Sequence, residues 1–80
     1  MAQDPVKPFA LAMAAEGQQV RIVALQSGRN LDRRLADIGL NVGSEISVVQ
    51  RQGSGLVVAR DAVRIALGGG MAMKVLVVPV

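Results

Sequence analysis

The sequence predicts a mainly β protein, a small barrel of about five short strands plugged by one short capping helix. Three observations carry this expectation. The second half of the chain is a series of runs, Glu45–Gln52, Gly55–Arg60, Val63–Leu67 and Met73–Val78, in which aliphatic positions recur with period two, the pattern of strands with one buried face. The first three runs are joined by connections of only a few residues, which suit antiparallel neighbours. One stretch alone, Asn30 to Ser44, carries helical spacing with both ends marked.

In that stretch Asn30 suits an N-cap, since its side-chain oxygen can accept from a free first-turn N–H. Asp32 places negative charge where the helix dipole favours it. Leu31, Leu35 and Ile38 fall at i, i+4 and i+7, an apolar stripe. Gly39 supplies a left-handed residue after the helix, so that Leu40 folds back onto Leu35 in a Schellman closure. Asn41-Val42-Gly43-Ser44 reads as a type II turn, with Gly43 at the position of positive φ. About two helical turns do not persist alone in water, so this helix is expected to sit on a sheet.

Ahead of it, Met1–Pro8 reads as a polar, Pro-containing leader, with the domain occupying 9–80. Phe9–Ala15 is an apolar run too short to assign as helical turn or extended chain; Phe9 and Leu11 are expected against the barrel floor. Gln18–Gln26 is the first strand, with Val20, Ile22 and Ala24 on one face and Arg21, Val23 and Leu25 on the other. Ser27-Gly28-Arg29 leads into the helix. Beyond the central stretch the inward residues are expected to be Ile46 and Val48, then Leu56 and Val58 after a Gly53-Ser54 type II′ hairpin, then Val63, Ile65 and Leu67. Leu67–Ala72 reads as a bend or one 3₁₀ turn around a flexible Gly68–Gly70 connector, before a last strand with Val75 and Val77 inward. Curling closed removes strand edges economically, which points to an SH3-like β-barrel.

Composition narrows function. The 80 residues contain no Cys and no His, so neither a disulfide nor a Cys- or His-ligated metal staples the fold. Hydrophobic residues make up 51% of the chain, enough for a modest aliphatic core that self-association would help. A serine nucleophile would have only Lys7 or Lys74 as partner, and Asp32 and Asp37 lie on different helix faces; no catalytic residue is assigned, and an enzyme is not expected. Met71 and Met73 are soft but isolated, and late transition metals want imidazole, thiolate or clustered carboxylates, so no metal ligand or cofactor is assigned. Net charge is +3. Arg21, Arg29, Arg33, Arg34, Arg51, Arg60 and Arg64 could form a basic face, but Phe9 is the sole aromatic and single-strand readers stack bases on aromatic rings. No secretory signal and no membrane-length apolar run is present, so a soluble cytoplasmic location is expected. What remains is a protein-interaction module. Outward Val23, Leu25, Leu76 and Val78, with Met71 and Met73 nearby and Arg33 and Arg34 flanking, are the expected partner or self-association face.

The ordered pair of motifs Arg34-Leu35-x-x-Ile38-Gly39-Leu40-x-x-Gly43-x-x-Ile46 and Arg64-Ile65-Ala66-Leu67-Gly68-x-x-Met71-Ala72-x-x-Val75-x-Val77 resembles the FeoA family over about Pro8 to Pro79. The resemblance implies an SH3-like barrel that serves bacterial ferrous iron uptake by contacting the FeoB membrane transporter through its cytoplasmic GTP-binding domain. It implies no enzymatic activity, no direct membrane insertion, and iron only as context. Leu35, Gly39, Leu40 and Gly43 match the family's helix-and-turn signature, and Leu67 and Gly68 begin its last connector. Two departures stand out: Val42 occupies a turn position where the family often has Pro, and Gln52–Gly55 is shorter than the loop many relatives carry. The alternatives left open are a small nucleic-acid-binding barrel and a metal-sensing domain like the one that closes iron-dependent repressors.

Overall fold

The structure is a computed structural model that describes the backbone of residues 7–26 and 29–80 and the side chains of 7–26 and 33–80. The expectations placed on the leader before Lys7, the loop at 27–28, the Asn30 cap, and the side chains of Leu31 and Asp32 lie outside the described residues.

Six strands form one antiparallel sheet in the order β1-β6-β2-β3-β4-β5. They are β1 Phe9–Ala10, β2 Gln19–Leu25, β3 Glu45–Gln52, β4 Gly55–Arg60, β5 Val63–Leu67 and β6 Val75–Pro79. The helices are α1 Arg29–Asp37 and the single turn α2 Gly69–Ala72, and a 3₁₀ turn spans Leu11–Met13. The sixth strand arises because Phe9–Ala15 is both things its composition allowed: two residues pair with β6, Phe9 opposite Val77, and the next three coil.

One side of the sheet carries the core. Val20, Ile22, Ile46, Val48, Leu56, Val58, Leu67, Val75 and Val77 are buried with Leu11, Leu35 and Leu40. A single sheet encloses one such cluster by curling around it. The core contains no buried polar or charged residue among those described, so aliphatic burial, worth about 1.5–3 kcal/mol for each large side chain, carries the stability.

The helix-and-turn stretch folds as its sequence dictates. Leu40 N–H donates to the Leu35 carbonyl at 2.8 Å and Gly39 N–H to the Ala36 carbonyl at 3.0 Å. These are the two bonds of a Schellman closure, with Gly39 at φ +88° and both leucines buried. Ser44 N–H then donates to Asn41 C=O at 2.9 Å with Gly43 at φ +96°, a type II turn. The turn is stitched to β2, since Gly43 N–H donates to Ile22 C=O at 2.7 Å and Ile22 N–H to Ser44 C=O at 2.9 Å. The apolar stripe ends sooner than its spacing suggests. Ile38 lies past the end of α1 and is 41% exposed.

Two register shifts correct the predicted faces. The β2–β6 ladder slips between Ile22 and Ala24, so Val23 is a bulge and the alternation resets after it. Ala24 pairs with Leu76 and Leu25 with Val75. Leu25 therefore packs against the core and Ala24 shares the outer face with Leu76, the reverse of the simple period-two reading. A second shift between Val48 and Gln50 brings Arg51 opposite Leu56. Val63, expected inward, is 58% exposed: it lies on β5, the strand at the end of the sheet, where no further strand lies beside it among the described residues.

Candidate docking surface

An open groove of about 640 Å³ lies between the 3₁₀ turn, α2 and the β3–β4 hairpin. Its lining is mostly apolar and includes Ala12, Met13, Ala14, Gly70 and Met73, with Arg51 as its charged residue.

The first wall follows from Leu11. Its side chain is fully buried, which pulls the chain after β1 inward and turns it. Ala14 N–H donates back to the Leu11 carbonyl at 2.9 Å. The segment is then clamped to β3. Arg51 Nη1 donates to the Ala14 carbonyl at 2.7 Å, and the Arg51 N–H donates to Glu16 Oε2 at 2.8 Å. Gly17 N–H donates to Val48 C=O at 2.7 Å. The β3 bulge sets this up, because the shifted ladder places Arg51 opposite Leu56. The Arg51 guanidinium thus ties β3 to this wall and also lines the groove.

The opposite wall depends on glycine. The Gly68–Gly70 run, expected as a flexible connector, is a packed α-helical turn. Ala72 N–H donates to Gly68 C=O at 2.9 Å and Met73 N–H to Gly69 C=O at 3.0 Å. Met73, placed in the last strand by its sequence, instead caps this turn. A Cβ on Gly69 would lie 2.6 Å from the Ser54 carbonyl oxygen, and one on Gly55 would overlap that of Leu67. Bare backbone on both sides lets α2 rest directly on the hairpin. Gly53 has φ +58°, as the first central position of a type II′ turn requires. A Cβ on Gly70 would meet nothing within 4 Å, because Gly70 faces the groove.

Met13 and Met73 line the groove at 72% and 53% exposure. Unbranched thioether side chains of this kind adapt to varied apolar partners. The residues of the expected interaction face sit in different settings. Leu25 and Met71 pack against the core. Leu76 is half-buried on the outer face of β6. Arg33 and Arg34 are exposed on α1, and no described side chain of α1 lines the groove. Of the eight residues expected on that face, Met73 alone is among those lining the groove. Sequence reasoning did not single out Met13 or Gly70 and weighed Arg51 only for a basic face, although the apolar run Phe9–Ala15 and the glycine triplet before Met71 were both visible. Among the described residues no group of three or more His, Cys, Asp or Glu is placed to hold a metal ion, and no helix is long and apolar enough to cross a membrane.

Comparison with known proteins places this architecture. The FeoA domain family model matches residues 9–79. A protein of Methanocaldococcus jannaschii described as "Putative Fe(2+) transport protein A" is 33% identical over 69 residues, covering 86% of this chain and 84% of its own. The crystal structure of an iron uptake regulatory protein, FeoA, superposes with a TM-score of 0.84 at 27% identity, over 94% of this chain and all of that one. A manganese-dependent transcriptional repressor superposes with a TM-score of 0.85 at 21% identity, over 96% of this chain but 44% of the repressor, a likeness of fold. The six-stranded antiparallel sheet is thus the SH3-like fold of these proteins. With a family match over nearly its whole length, this chain belongs to the FeoA domain family.

Proposed function

We propose that the chain is a non-enzymatic cytoplasmic accessory protein of ferrous iron uptake, and that it works by docking the cytoplasmic GTP-binding domain of a FeoB-type transporter into the groove beside α2. The observation that supports this most is the groove itself. It is open and largely apolar, with two exposed methionines and one guanidinium. That lining suits an apolar side chain with a carboxylate or carbonyl beside it. Its lining offers apolar surface and one guanidinium for a partner to contact. The family supplies the iron-transport context.

The test is co-purification with the transporter's soluble GTP-binding domain, with and without GTP, using the wild type and a Gly70→Leu variant. Leucine at 70 fills the groove from a position where an added Cβ meets nothing within 4 Å. The wild type is expected to retain the domain and the variant to lose it. Equal retention by both would remove the groove from the account, and no retention by either would remove the partner.

A further inference from the structure

Val63, Ile65 and Leu67 occupy the same phase of β5, yet their exposure falls steadily along the strand. Val63 is 58% exposed, Ile65 is half-buried and Leu67 is 4% exposed. The strand is an open edge of the sheet. β5 pairs with β4 from Leu67 opposite Leu56 to Val63 opposite Arg60, and no strand pairs with its other side among the described residues. The strand offers that side five residues, Val-Arg-Ile-Ala-Leu, without Pro, Lys or an acidic residue. Pro and charged side chains discourage pairing at an edge; here the one charge is Arg64, which a pairing strand must not set against another cation. Ile38 is 41% exposed and borders the same crevice as Val63 and Ile65.

From this geometry we infer that β5 pairs with β5 of a second copy of this chain, antiparallel about a two-fold axis through Ile65. The sequence of the strand selects that register. Centred on Ile65, Val63 faces the other copy's Leu67 and Arg64 faces its Ala66. The apolar phase then continues across the junction and each Val63 gains a cover. Centred on Arg64, the same strands would set two guanidinium groups directly opposite, which is unfavourable. The contact is isologous and closes on itself, so it yields a dimer rather than a filament. Five paired residues bury far less than the ~800 Å² per partner of a standard interface, so the dimer is weak and depends on protein concentration.

Sedimentation equilibrium of the full chain over a wide concentration range tests this. The wild type is expected to rise from monomer mass toward dimer mass as concentration increases. Val63→Lys is expected to hold it at monomer mass, since it adds charge at the edge. Ala66→Glu is the sharper variant. In the Ile65-centred register it sets each Arg64 opposite the new carboxylate of the other copy, two symmetric cross-strand ion pairs. These should tighten the dimer by about 2- to 30-fold at low salt and lose that gain at high salt. A chain that stays monomeric throughout, a Val63→Lys variant that dimerises like the wild type, or an Ala66→Glu variant with unchanged affinity would each overturn the inference. So would a β5 edge that binds only an extended peptide from another protein.

Discussion

Replacing Gly69 with Ala tests the idea that the groove wall is built on backbone-to-backbone contact. The added Cβ would lie 2.6 Å from the Ser54 carbonyl oxygen, 2.7 Å from Ser54 Oγ and 2.8 Å from Ser54 Cβ. The carbonyl belongs to a tight hairpin and cannot swing away as a side chain can, so α2 and the hairpin must separate by several tenths of an ångström. Overpacking of this kind costs about 1–3 kcal/mol. Alanine also favours helix over glycine by up to about 1 kcal/mol, which would mask part of the loss. Gly70→Ala provides the correction. It sits in the same helical turn, carries the same propensity gain and meets nothing within 4 Å. The difference between the two variants isolates the Ser54 contact, and for a domain this size about 1–3 kcal/mol corresponds to a Tm gap on the order of 4–24 °C. Thermal unfolding followed by far-UV circular dichroism reads it. Equal Tm for Gly69→Ala and Gly70→Ala would refute the reasoning.

Further outcomes are expected on the same grounds. Gly39→Ala should lower stability by about 1–2 kcal/mol for its left-handed φ. Urea titration would show it, along with some added loss as the new Cβ crowds the Arg60 guanidinium that donates to the Gly39 carbonyl. Leu35→Ala, at a fully buried position, should cost about 2–5 kcal/mol in the same titration and loosen α1, visible as faster amide exchange across its last turn. Val42→Pro should raise stability by about 0.4–1 kcal/mol, because Val42 is 60% exposed and holds the second position of the type II turn, where Pro is at home.

How much the sequence told depends on how local the cause was. The Schellman closure and the type II turn were legible residue by residue, because Gly39, Leu40 and Gly43 act on their immediate neighbours. The aliphatic core was legible wherever strands kept strict alternation, as in Ile46, Val48, Leu56 and Val58. It failed where the ladder slips. Nothing in Val-Arg-Ile-Val-Ala-Leu marks Val23 as the bulge, since the slip is settled between β2 and β6 rather than within β2. Val63 misled for a related reason. Its phase is inward, but β5 is an edge and nothing described covers it, a matter of topology that alternation does not carry. The groove was hidden most thoroughly. Its walls come from three segments distant in the chain, and the glycines that let them touch look, in sequence, like a flexible tether.

The most direct test of the groove as working surface is a titration with the GTP-binding domain, read by NMR of protein labelled at the methionine methyl groups. The chain has four methionines, of which Met13 and Met73 line the groove while Met71 packs against the core. The Met13 and Met73 methyl signals are expected to shift and broaden with added domain, with Met71 little changed. Binding that leaves Met13 and Met73 unmoved would contradict the account.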